Sequence, residues 1–239
     1  MQMQTGKYLI TKGMLDRRSV KELKNLADQK LLNEKARPLY IAKEKALGST
    51  IIERYEKAGI TSAIGKCSKI ITREIGDKWL ILENKVLVRR TWPMSKIKSE
   101  SINSNASNLT WHQDTNERHQ DKHMVVILCS LDDNFGIDKP GLQIMNNETN
   151  RFEGIFGYEG HKVSKFEREI MQRQGVLKLE IPSLDKGDGI IFNGLTFHRT
   201  YSNEKMIHPR DALLIRIIKP QDASNFEAGR HLVIKERKK

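Results

Sequence analysis

The stretch Met124-Val125-Val126-Ile127-Leu128-Cys129-Ser130-Leu131 is a nearly unbroken apolar run. A run of that length and composition suits a strand buried on both faces. Residues 132–139 then read as a turn region, and Pro140-Gly141-Leu142-Gln143-Ile144-Met145 starts another short strand. Residues 176–181 mostly alternate, the mark of a half-exposed strand. Lys186-Gly187-Asp188-Gly189 is a tight turn into Ile190-Ile191-Phe192, and residues 212–218 form the last strong strand, ended by Lys219-Pro220. Upstream, residues 79–82 and 85–91 read as strands on either side of a short Glu83-Asn84 connection.

Before residue 77 the period is helical. Val20, Leu23, Leu26 and Ala27 recur at three- and four-residue steps, and Ser19 with Glu22 resembles a capping box. A second helix is expected over residues 39–57 and a third over 61–74, stopped by Gly76. Their apolar stripes are packing faces, with no catalytic set among them. Residues 93–110, rich in Ser and Asn, read as a loop, either a lid or a disordered surface loop; 146–161 reads as a rim loop and 163–173 as a helix. Helices first and strands after predict a mainly β protein, an antiparallel sandwich or jelly roll with helices packed on one sheet. One domain is expected over residues 1–239, with a helical part to about 76, a β core over 77–220 and an extension over 221–239.

Apolar residues at 38% and charged residues at 30% allow a real core under a charged surface. No apolar run approaches the roughly 18 residues that cross a bilayer, and no signal-peptide pattern opens the chain. Cys67 and Cys129 lack paired spacing, so two free thiols in a reducing compartment, and a cytoplasmic protein, are expected. The formal charge of +12 raises nucleic acid, membrane and acidic partners as questions. The basic residues are scattered among acids, and only residues 235–239 form a compact cluster, so neither nucleic acid nor a membrane is an expected partner.

The chemistry concentrates at Trp111-His112-Gln113-Asp114. On a strand, residues two apart share a face, so His112 and Asp114 aim an imidazole and a carboxylate at one point. His198 supplies a second imidazole from a distant strand. Two histidines and a carboxylate suit Fe(II) with open positions for a co-substrate and oxygen, without excluding Mn, Co, Ni or Zn. His-x-Asp alone is a weak sign; Asp121-Lys122-His123 is a near-decoy, His119 and His123 sit in a polar stretch, and His161, His208 and His231 lack local ligand partners. Context strengthens it. Arg210 enters the last strand, where a guanidinium would give the distal carboxylate of 2-oxoglutarate two charge-assisted hydrogen bonds. Arg216 shares its face by parity and is the second candidate, and Thr200 or Ser202 would add a hydroxyl. Arg89, Arg90 and the basic surface hint at a carboxylate- or phosphate-bearing substrate, with Arg90 and Trp111 as substrate contacts.

As an ordered set, Trp111-His112-Gln113-Asp114, Leu131-Asp132-Asp133, Gly141-Leu142, Gly187-Asp188 through Phe192 to His198, Asn203 and Arg210-Asp211-Ala212-Leu213 resemble the phytanoyl-CoA dioxygenase family of Fe(II)/2-oxoglutarate oxygenases. The resemblance covers about residues 80–218. It implies a double-stranded β-helix, the cupin-like jelly roll, with His112, Asp114 and His198 as iron ligands, Arg210 as the 2-oxoglutarate anchor and Thr200 assisting. It implies hydroxylation of an unactivated C–H bond, with O2 consumed and succinate and CO2 released; the expected substrate is a small molecule, an amino acid or a natural-product intermediate, free or carrier-bound. Asp114 stands where the related halogenases have a small residue. Residues 143–147 lack the family's usual Pro-Gly-Ser-His ending. Two other readings are a nucleic-acid demethylase of the same cofactor class, which the Arg210 and Arg216 pair would fit, and a non-catalytic cupin-like binding protein.

Overall fold

The computed structural model describes residues 7–33, 36–96, 111–114, 124–146, 178–225 and 231–233. Among the described residues are three α-helices, α1 (Arg17–Lys30), α2 (Ile51–Lys57) and α3 (Ile60–Ile75), all in the first third of the chain. The larger antiparallel sheet runs β1 (Tyr8–Thr11), β8 (Gly189–Asn193), β5 (Val125–Ser130), β10 (Arg210–Ile218), β3 (Leu80–Leu82) and β11 (His231–Val233). Beside the first half of β10 lies β4 (Leu87–Thr91), which in turn carries the two-residue β2 (Leu39–Tyr40). The smaller sheet is β7 (Lys178–Glu180), β6 (Gly141–Asn146) and β9 (His198–Tyr201), also antiparallel.

All six residues of β5 are buried, as the run 124–131 predicts. Val125, Ile127 and Cys129 pack with Ile64, Cys67, Ile71 and Ile75 of α3 and with Val20 and Leu23 of α1. Val126 and Leu128 point the other way, into a second apolar cluster with Leu142 and Ile144 of the smaller sheet. The helices therefore cover one face of the larger sheet, and the smaller sheet covers part of the other. Strand alternation sorts each residue of β5 and β10 between those two interiors.

Several boundaries differ from the sequence reading, each for a local reason. The α1 cap is Asp16, whose carboxylate accepts from the Ser19 amide at 2.7 Å, so Ser19 sits inside the first turn. Ser19 packs beneath Gly59, whose φ is +72°; a Cβ there would lie 2.6 Å from the Ser19 hydroxyl, so glycine is required for α1 to approach this closely. The expected long second helix begins only at Ile51, where Thr50 and Glu53 form the capping box. Leu39 and Tyr40 instead pair with β4. Besides β2, two more described strands fall outside the expected β core: β1 caps the free edge of β8, and β11 pairs with β3 from within the stretch taken as an extension. Most of the lid-like loop, the rim loop, the 163–173 helix, His119, His123 and His161 lie outside the described residues. Among the described residues no helix is long and apolar enough to cross a membrane. Both cysteines are free and buried.

One buried ion network ties α1 to the larger sheet. Asp211 of β10 faces the helices with no exposed side-chain surface. It accepts from Arg90 Nε and Nη2 at 2.8 and 2.7 Å and from Lys24 Nζ at 2.6 Å. Lys24 also reaches Asp132 at 3.0 Å, and Asp132 accepts from the Asp211 amide at 2.7 Å. Burial alone would raise the Asp211 carboxyl, but Arg90 and Lys24 outweigh it and hold it below its ordinary value. Removing Asp211 takes from two partly buried cations their fully buried partner, leaving Lys24 with Asp132 and Arg90 with Asp28. Asp211→Ala should cost about 3 kcal/mol in urea unfolding at neutral pH. Because the folded pKa is depressed, that gap from wild type should be full above about pH 4 and narrow as pH falls below it.

Candidate metal centre

His112 and His198 come from distant parts of the chain and are joined through their backbones. Each amide donates to the other's carbonyl at 3.0 Å, an isolated antiparallel bridge on the open edge of β9. The Asp114 amide donates to Gly194 O at 3.0 Å, fixing the segment two residues on. Residues 112 and 114 therefore share a face, and that face meets the inward face of His198. One donor atom from each of His112, Asp114 and His198 lies within 4.8 Å of the others. The two imidazole rings are 4.2 Å apart at a tilt of 54°.

The donors are prepared for a cation. His198 Nδ1 lies 2.9 Å from the Thr196 carbonyl, which assigns the proton to Nδ1 and leaves the Nε2 lone pair free. Burial lowers the His198 pKa despite the Asp114 charge, which favours the neutral imidazole that binds metals. Burial would raise the Asp114 carboxyl, but Arg216, His198 and His112 outweigh it and hold it well below the usual range. Asp114 Oδ1 accepts from Arg216 Nε at 3.0 Å and Nη2 at 2.6 Å. Asp114 Oδ2, 3.7 Å from His198 Nε2, is buried with no hydrogen-bond partner. A divalent metal satisfies a buried carboxylate oxygen left open beside two imidazoles. The residues present fit a metal of the 2-His-1-carboxylate type.

A second set of unsatisfied atoms lies in the same apolar interior. Arg210, 4% exposed, stacks over Phe135 with its guanidinium carbon 4.8 Å from the ring centre. His198 meets Phe192 of the same cluster edge-on at 4.9 Å. Arg210 Nη2 donates to Thr91 Oγ1 at 2.7 Å, while Nε and Nη1 are buried without partners. Burial and the neighbouring Arg89 push the Arg210 pKa down to about 10, which leaves it charged at neutral pH. A buried cation with two open N–H groups calls for an anion, and a carboxylate matches its planar fork.

The remaining expected residues divide. Thr200 is half-buried on the His198 face of β9, two residues further along. Ser202 is occupied at the surface, accepting from the Met94 amide at 3.1 Å. Arg90 is turned away from the centre into the Asp211 network, because β4 alternates and it is Arg89, opposite Ala212, that shares the interior face. Trp111 is buried under the Arg199 guanidinium, 4.9 Å from its ring, on the face of β9 opposite His198. Neither Arg90 nor Trp111 therefore faces the His112, Asp114 and His198 cluster. Two participants carry no assignment in the sequence: Thr91 as the Arg210 partner and Arg216 as the partner of Asp114. The parity of 210 and 216 signals that both arginines face inward, but only the register shows that they serve different atoms.

No family model and no curated protein matches the sequence. Solved structures do match. The epimerase SnoN in complex with Fe3+, α-ketoglutarate and nogalamycin RO is 15% identical with a TM-score of 0.57, over 90% of this chain and 80% of its own. The non-heme α-ketoglutarate-dependent carbocyclase SnoK from nogalamycin biosynthesis is 12% identical at 0.54, over 96% and 90%. The fold is that of non-haem α-ketoglutarate-dependent enzymes. EctD from S. alaskensis, in its apoform, also matches in fold, at 14% identity and a TM-score of 0.58, over 92% of this chain and 75% of its own.

Asp114→Ala or His198→Ala should weaken Co(II) or Fe(II) binding by more than the 10- to 100-fold typical of losing an outer partner. Anaerobic calorimetry reads this directly. Arg90→Ala should lower the melting temperature yet leave metal affinity within about twofold of wild type, since it lies on the other side of the sheet.

Proposed function

We propose that the protein is an Fe(II)/2-oxoglutarate-dependent dioxygenase with a double-stranded β-helix core, acting on a C–H bond of a small molecule in the cytoplasm. The observation that carries this is the pairing of two unmet demands in one interior: the open Asp114 Oδ2 beside two imidazoles, and the open N–H groups of Arg210. One asks for a cation and the other for a carboxylate. The fold shared with SnoN, SnoK and EctD supports the same reading.

His112, Asp114 and His198 would hold the iron, and Arg210 with Thr91 would hold the distal carboxylate of 2-oxoglutarate. Bound iron with 2-oxoglutarate supplies oxidative decarboxylation to succinate and CO2, coupled to oxidation of the substrate by O2. The chain's own part is placement and dryness. Thr196 fixes the His198 tautomer, and Phe135 and Phe192 set apolar rings against Arg210 and His198. Thr200, on the His198 face of β9, is the hydroxyl that would assist Arg210. The interior position of Arg89 supports a substrate carrying a carboxylate or phosphate, free or on an acidic carrier. Hydroxylation is the outcome proposed; an epimerase and a carbocyclase share this fold, so substrate placement decides the product.

Anaerobic addition of Fe(II) and 2-oxoglutarate should give a weak visible charge-transfer band. Arg210→Met should raise the 2-oxoglutarate Kd by about 100-fold, on the cost of a lost buried charge pair, while iron still binds. A succinate-release screen over amino acids, acyl thioesters and nucleosides, with His112→Ala as blank, identifies the substrate. A folded wild-type protein that binds iron but shows no such band would favour a binding protein instead.

A further inference from the structure

Arg216 approaches Asp114 in an uncommon way. The usual fork places one guanidinium nitrogen on each carboxylate oxygen. Here Nε and Nη2 both donate to Oδ1, at 3.0 and 2.6 Å, and neither reaches Oδ2. A carboxylate has about four lone-pair sites, two on each oxygen. The two on Oδ1 are filled, and those on Oδ2 face the imidazoles. The arginine is itself held: its side chain is 14% exposed, its third nitrogen points to the Lys85 carbonyl at 3.5 Å, and β10 fixes its backbone opposite Val126 of β5.

We propose that Arg216 is a positioning residue that restricts Asp114 to binding metal through Oδ2 alone. The inference rests on the metal-centre reading above and sharpens it. A six-coordinate metal with two imidazoles and a one-oxygen carboxylate keeps three positions open. A carboxylate binding through both oxygens leaves two. An α-keto acid fills two by chelation, so the third position, the one a diatomic gas needs, exists only if Oδ1 stays occupied elsewhere. Arg216 occupies it, and burial makes the exchange of two charge-assisted hydrogen bonds for a second metal contact unfavourable. The same strand that presents Arg210 to the co-substrate thus keeps a place for oxygen. The two arginines are three strand repeats apart on one face, roughly 20 Å between Cα atoms at the usual rise, so they serve different groups.

The test uses nitric oxide, an oxygen surrogate, on the full chain loaded anaerobically with Fe(II) and 2-oxoglutarate. Electron paramagnetic resonance reads uptake through the S = 3/2 iron–nitrosyl signal, without turnover. Wild type should give this signal. Arg216→Met should still take iron and 2-oxoglutarate but bind nitric oxide at least about tenfold more weakly, as outer-partner losses at metal sites typically do. Arg216→Lys keeps the charge with a single ammonium and should recover part of the affinity; it carries the test if the methionine variant does not fold. Wild-type nitric oxide affinity in both variants overturns the proposal, since Asp114 would then stay one-oxygen without Arg216. A folded Arg216→Met protein that no longer takes iron also overturns it, because Arg216 would then serve loading rather than geometry. Failure of wild type to bind Fe(II) at all would instead strike the metal-centre reading itself.

Discussion

Strand β10 is buried on both faces, and its two-residue alternation divides the molecule. Residues 211, 213, 215 and 217 face the helices; residues 210, 212, 214, 216 and 218 face the smaller sheet. A shift of register by one residue would turn Arg210 and Arg216 into the helical core and Asp211 into the site. That exchange is blocked by apolar packing on one side and by the Arg90–Asp211–Lys24 network on the other. The charge network that looks like a stability device therefore also fixes which arginines reach the candidate centre.

The electrostatics of the two faces differ in kind. Toward the helices, Asp211 is matched by Arg90 and Lys24 within the protein. Toward the smaller sheet the charges are left incomplete: Asp114 is matched on one oxygen only, and Arg210 on one nitrogen. Buried charge without full pairing is costly to fold. Its persistence at two neighbouring places is a mark of binding rather than of stability.

Much of this is legible in the sequence. The two-faced burial of residues 124–131, the inward pairing of His112 with Asp114, the late His198 and the shared face of Arg210 and Arg216 all follow from strand period and residue type. The rest depends on register. Nothing in Arg89-Arg90 says which one faces inward until β4 is set against β10, and hydrophobic pattern offers no choice because both are charged. The second helix is shorter than its pattern because Leu39-Tyr40 fits either period and pairs with β4, while residues 41–43 and 45–47 form two short 3-10 turns before Thr50 caps the helix. The strand β1 escapes the pattern because Tyr8-Leu9-Ile10-Thr11 is an edge, with Leu9 and Ile10 exposed at 40% and 43%.

The backbone bridge between His112 and His198 has a thermodynamic side. A metal held by both residues staples together points separated by most of the β region. In a chain that was open there, closing a loop of that length would cost about 4.5 kcal/mol in lost freedom. The two amide–carbonyl bonds have already closed it. The ion would then arrive as the last rivet in a seam that is already shut, so its affinity can go into coordination rather than into drawing the chain together.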